Sequence, residues 1–158
     1  MLLQRQKFFF MALLFAIPLL GIGFAYADNE AGDKKSLYSR LGGLQPISVV
    51  VSDFIDVIVV DDALNANPAI DAARKVVPAP YLKYQVTAMV CNATGGSCQY
   101  QGRTMKDAHA HLNITEKDWQ RMEVLLKSVL DKHGVAEKEQ QELMEIVGST
   151  KADIVTAP

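Results

Sequence analysis

The chain carries only two cysteines, three histidines and one tryptophan in 158 residues. With no second cysteine pair, a four-cysteine zinc site is unsupported. Lysine and arginine do not cluster anywhere, so nothing points to nucleic acid. No phosphate-binding glycine loop is present: Gly95-Gly96 lacks the following Gly-Lys-Ser/Thr. The serines at 36, 39, 48, 52, 97, 128 and 149 all stand outside a nucleophile-elbow pattern. Strand-forming runs joined by hairpin turns are missing too, which removes the all-β classes.

One long apolar run exists, and it is N-terminal. Arg5 and Lys7 precede a charge-free stretch from Phe8 to Phe24, and Ala25-Tyr26-Ala27 fits a small-x-small cleavage site. Residues 1–27 therefore read as a secretory signal peptide cleaved after Ala27, with the bacterial periplasm as the expected destination. The alternative is an uncleaved anchor. The run is ~17 residues, at the short limit for a span, and it contains Pro18, Gly21 and Gly23. Residues 28–35 are polar, without aromatics, and suit a flexible tether. Residues 36–155 remain for the folded domain, enough for a modest core. Losing Arg5 and Lys7 from the 16 basic residues leaves 14 against 18 acidic ones, a mild negative charge.

Export places Cys91 and Cys98 in an oxidising compartment. On an unbroken helix they would be ~10 Å apart in rise, too far to join. Gly95-Gly96 between them breaks the helix and allows the chain to fold back. The two either form a disulfide or stay as semi-buried thiols. No C-x-x-C-H occurs, so covalent haem attachment is not indicated.

Almost every remaining stretch has helical periodicity. Leu37–Leu41 forms a short helix capped by Ser36 and stopped by Gly42-Gly43. A second helix begins near Pro46 and carries Ile47, Val50, Val51, Phe54, Ile55 and Ile58 three or four apart. Asn65, Asn67, Pro68, Pro78 and Pro80 punctuate residues 61–80, predicting a long loop with one short helix near 69–75. A helix over about 80–93 places Tyr81, Tyr84, Gln85, Ala88 and Met89 near one face. Residues 94–103 form a Gly-rich loop, and 104–111 about two helical turns. Thr115 with Asp118 makes an acidic capping box. It opens an amphipathic helix with Trp119, Met122, Val124, Leu125, Val129 and Leu130, closed by Gly134. A last helix spans about 137–147. The fold class is all-α.

His109, His111 and His133 are the only imidazoles. His133 sits in a last helical turn, where the dipole accounts for it. His109 and His111 are two apart and face different ways, so at most one serves a common pocket. A single imidazole holds haem iron when it stands in an apolar crevice and its second nitrogen meets an acceptor.

The order of motifs narrows the choice. Leu37-Tyr38-Ser39-Arg40-Leu41-Gly42-Gly43 resembles the opening of group 1 truncated haemoglobins. Cys91-Asn92-Ala93-Thr94-Gly95-Gly96 resembles the double glycine that ends their distal helix. Tyr100-Gln101-Gly102-Arg103-Thr104-Met105-Lys106-Asp107-Ala108-His109 is similar to their proximal stretch. Leu112-Asn113-Ile114-Thr115 and Gly134-Val135 match two later turns. This resemblance implies a two-over-two helical sandwich around haem b (iron protoporphyrin IX), with His109 as proximal ligand. It places Met105 and Tyr100 against the haem, with Leu112, Ile114, Trp119 and Leu126 on the proximal side or in the core. Arg103 and either Lys75 or Lys83 fall to the haem carboxylates, and His111 to the surface or the propionate side. On the distal side Phe54 matches the Phe that usually precedes a Tyr, but that Tyr position is Ile55. Gln85, with Tyr84 or Tyr81 nearby and Met89 one turn on, supplies the alternative polar contact. The implied partner is a diatomic gas: O2, NO or CO. A haem redox enzyme, an NO dioxygenase or a peroxidase, is the second reading, and its reductase would be a separate protein. A haem-free helical binding module is the third.

Overall fold

The computed structural model describes residues 35–157; the leader and most of the tether lie outside them. Among the described residues there are nine helices and no strand. They are α1 (Leu37–Arg40), α2 (Leu44–Val60), α3 (Asp62–Asn65), α4 (Pro68–Val76), α5 (Ala79–Ala93), α6 (Met105–His109), α7 (Glu116–Lys132), α8 (Glu137–Gly148) and α9 (Lys151–Ile154). None is long and apolar enough to cross a membrane.

The two-over-two sandwich follows from which stripes are apolar. Ile47, Val51 and Ile55 recur every four residues along α2 and bury against Leu82, Val86 and Val90 of α5. Leu126 and Leu130 of α7 meet Leu37 of α1 and Leu143 of α8. Between the layers Phe54 and Val90 touch both clusters. A third cluster joins Ile114, Trp119 and Ile154 with Met105 and Leu112. It fastens α6 beside α9. Arg40 pairs with Glu139 and Glu142, tying α1 to α8.

Local signals account for most boundaries. Gly42 and Gly43 have φ of +88° and +84°, a region that a side chain disfavours, and α1 stops there. The capping box is present in full: Thr115 Oγ1 accepts from Asp118 N–H, and the Asp118 carboxylate accepts from Thr115 N–H at 3.0 Å.

Three expectations need correction. Residues 61–80 contain the expected short helix, as α4, but are mostly helical around it as well, because their polar punctuation acts as caps. Asp61 accepts from Leu64 N–H to open α3, and Asn67 accepts from Ala69 and Ile70 N–H with Pro68 in the first turn of α4. Second, α9 extends order past the expected last helix. Third, Val124 is 59% exposed, and its expected inward place belongs to Leu126. The cysteine question resolves as a Cys91–Cys98 disulfide, Cα–Cα 5.8 Å, closed around Gly95-Gly96.

Arg121 of α7 grips Asp61 through Nε (3.1 and 3.2 Å) and Nη2 (2.6 Å). The Arg121 guanidinium holds the Asp61 carboxyl below the usual carboxylate range, against the opposing effect of burial. The folded state thus takes up this proton less readily than the unfolded chain. The pair's contribution is complete above the ordinary carboxylate range and disappears as pH falls through the depressed value. Thermal melts should therefore show a midpoint that drops on acidification below about pH 4. Asp61→Asn should flatten that drop, and an unaltered slope would assign it to other carboxylates.

Candidate functional site

A cavity of about 1170 Å³ runs between the layers. Ligand pockets typically enclose roughly 300–1,000 Å³, so a large flat group fits here. Its walls are mostly aliphatic: Val50, Val51 and Ile58 from α2, Leu82 and Val86 from α5, Leu126 and Leu130 from α7.

His109 ends α6 and borders this cavity. Thr104 caps the helix by accepting from Asp107 N–H at 3.1 Å, which sets the direction of its single turn. His109 Nδ1 lies 2.8 Å from the Met105 carbonyl. A carbonyl only accepts, so Nδ1 carries the proton and Nε2 keeps its lone pair in the neutral ring. Nε2 has no hydrogen-bond partner among the described residues. Burial lowers the His109 pKa; the Met105 bond opposes this, and the nearby His111 and Arg103 reinforce it. The net lowering favours a neutral imidazole with one free nitrogen, the form that binds a metal.

No group of three or more His, Cys, Asp or Glu side chains stands together among the described residues. A bare ion at His109 would thus lack protein co-ligands. The donor set, one imidazole on a large apolar cavity, suits a metal that would arrive already held in an organic macrocycle.

The expected residues converge unevenly. Phe54, Ile55, Tyr81, Gln85, Met89, Tyr100, Arg103, Met105, Leu112 and Ile114 all line the same cavity as His109. Tyr84 does not: it is 69% exposed and faces away from the lining. His111 is exposed and also borders the cavity. Lys75 and Lys83 are outside the lining and pair with Asp71 (2.5 Å) and Asp56 (2.7 Å) instead. Arg103 stays at the rim and has no carboxylate partner among the described residues. Tyr100 donates to the Arg103 carbonyl at 2.7 Å, and burial raises its pKa, so it remains a neutral phenol.

The sequence reading missed Asn67. Its Nδ2 lies 3.1 Å from the Leu112 carbonyl, 3.2 Å from the Asn113 carbonyl and 3.2 Å from the Asp118 carboxylate. One amide thereby pins the turn that follows His109. The only local signal was Asn before Pro, which marks a cap but no long-range contact.

With this geometry in place, the comparisons decide the family. The model of the family described as bacterial-like globin matches residues 36–156. The chain belongs to that family. This globin is similar to a group 1 truncated haemoglobin of Chlamydomonas moewusii, 25% identical over 142 residues, which span 87% of this chain and 80% of the relative. Its fold is similar to the crystal structure of truncated haemoglobin from Tetrahymena pyriformis in the Fe(III) form. The TM-score is 0.65 at 21% identity, covering 77% of this chain and 98% of that one. A mutant of the same Tetrahymena protein gives a TM-score of 0.64 with the same coverage. The chain is thus a truncated globin, as its motifs suggested, and globin membership implies haem.

Proposed function

We propose that this truncated globin binds haem b through His109 Nε2 and takes up a diatomic gas, O2, NO or CO. The observation that carries this reading is the His109 ring itself. Its Nδ1–H is committed to Met105, and its free nitrogen belongs to a residue on the wall of a large apolar cavity. When bound, haem supplies an iron with a coordination position left for the gas.

The chain's own residues have separate tasks. Met105 fixes the tautomer of His109 and raises its basicity as a ligand. The aliphatic walls exclude water from the slot. Gln85, which lines the same cavity, would donate its amide N–H to the gas, with Tyr81 as a second donor. Position 55 offers no hydroxyl: Ile55 is 2% exposed and packs with Ile47 and Val51. Arg103 and His111 at the rim suit the haem carboxylates.

Such a hydrogen bond is worth roughly 0.5–1.5 kcal/mol. Gln85→Leu should therefore speed O2 release by up to about tenfold. An unchanged off-rate would remove Gln85 from this role. Reconstitution with haem and spectra in the ferric, ferrous and CO-bound forms test the main reading, and a chain that acquires no Soret band overturns it. Steady-state NO consumption in oxygen, with an electron donor, would favour the dioxygenase alternative over simple gas binding.

Export to the periplasm belongs to the same proposal. It is supported by the Arg5/Lys7 start, the Phe8–Phe24 run, the Ala25-Tyr26-Ala27 site and a disulfide suited to an oxidising compartment.

A further inference from the structure

The connection between α5 and α6 joins two helices that both line the cavity. Tyr81, Gln85 and Met89 come from α5, and His109 comes from α6. The first part of this connection is well fastened. Tyr38 N–H donates to the Thr94 carbonyl at 2.8 Å, Gly96 N–H donates to the Cys91 carbonyl at 2.8 Å, and the disulfide ties Cys98 back to α5. Beyond Cys98 the polar contacts of residues 99–104 are internal or local: Tyr100 to Arg103, and Thr104 to the turn it caps. Cys98 is therefore the last point at which the loop is held to the distal helix. Without the bridge, one bond on the exposed side remains, from Asn92 Nδ2 to the Cys98 carbonyl at 3.0 Å.

The two sulfurs are unequal. Cys91 is fully buried. A Cβ at Gly96 would stand 2.6 Å from its Sγ and 2.7 Å from Tyr38 Cδ2, so the backbone closes directly over it. Cys98 is half-buried. An incoming thiolate meets Cys98 first, and Cys91 is the sulfur that leaves.

We propose that the Cys91–Cys98 bridge is a thiol–disulfide exchange site for a dithiol reductant, and that opening it loosens the chain's hold on haem. A thiolate of the dithiol attacks Cys98 Sγ, the Cys91–Cys98 bond breaks, and Cys91 leaves as a thiolate that takes up a proton. The second thiol of the reductant attacks the mixed disulfide and releases Cys98, which is protonated in turn. Two electrons pass to the protein, and the dithiol ends as a disulfide. Neutral Cys91 suits its apolar enclosure as a small hydrophobe. The loop to Thr104 is then freed at its Cys98 end. The five-residue α6 loses its upstream anchor, so His109 is held less firmly relative to Gln85 and Met89.

The effect on haem rests on the haem-binding reading; the exchange site does not. The test uses the full chain loaded with ferric haem, measuring haem transfer to an excess of an apo acceptor protein. One sample keeps its bridge. The other is treated with dithiothreitol, freed of it without air, and assayed for thiols. Two thiols should appear and transfer should quicken about tenfold, a constraint-sized effect for so short a loop. A Cys91→Ser/Cys98→Ser variant should show the fast rate with or without dithiol. Two counted thiols with an unchanged transfer rate would overturn the link to haem, and no thiols in native protein would overturn the exchange site. If the bridged chain takes up no haem, the haem reading fails instead. Faster amide exchange in residues 99–104 on reduction then still supports the loosening, and unchanged exchange refutes it.

Discussion

His109→Ala is expected to fold and to fail as a haem protein. His109 is half-buried, and its one hydrogen bond is to Met105 in its own turn. The three core clusters do not include it. The apo variant should therefore melt close to the wild type. Haem retention is another matter. Removing a partner that merely orients a ligand typically costs 10–100-fold in metal affinity. Removing the ligand itself should cost more than about a hundredfold. Haem transfer to an acceptor should show this directly. So should Trp119: the chain's single tryptophan is 2% exposed and lines the same cavity, so bound haem should quench its fluorescence. In the variant, quenching should require far more haem. A variant that keeps wild-type affinity would place the ligand elsewhere.

Asn67→Ala should be the most damaging single change outside the aliphatic core. Asn67 caps α4 through Oδ1, and its Nδ2 serves Leu112, Asn113 and Asp118. Asn113 has φ of +48°, a left-handed conformation that Asn tolerates better than most residues, and Asp118 is 8% exposed. A lost cap costs about 1 kcal/mol. Withdrawing a donor from a buried carboxylate adds about 1–2 kcal/mol. A total near 2–3 kcal/mol would lower the melting midpoint by about 10 °C for a domain this size. Because the turn after His109 is pinned by this amide, haem loss should also quicken. Asn67→Asp keeps the cap but places two carboxylates together, so it should not rescue. A melting midpoint within a degree or two of wild type would show that water replaces the amide.

Much of this was readable from residue order. Thr115 with Asp118, the double glycine at 42–43 and the apolar stripe of α2 are local signals, and each appears where its chemistry demands. The disulfide stayed open in the sequence because Gly95-Gly96 permits a reversal without requiring it. At 61–80 the short helix near 69–75 was legible and is α4, but α3 was hidden because Asp and Asn serve both loops and helix starts; only the side-chain acceptance by Asp61 decides between them. Tyr84 was placed on the wrong face by adjacency to Gln85. On a helix Gln85 and Met89 follow Tyr81 at four-residue steps, whereas Tyr84 trails it by about 60° and turns outward. The rim was hidden for a different reason. Lys83 meets Asp56 across 27 positions, and no local pattern encodes such a pairing.

The iron–imidazole stretching vibration of the ferrous protein, read by resonance Raman, addresses the proximal bond itself. It should be present in the wild type and retained in His111→Ala and His133→Ala. In His109→Ala it should be absent, and added free imidazole should restore it. The same vibration surviving unaided in His109→Ala, or vanishing in His111→Ala, would contradict the assignment of His109 as the residue that holds the iron.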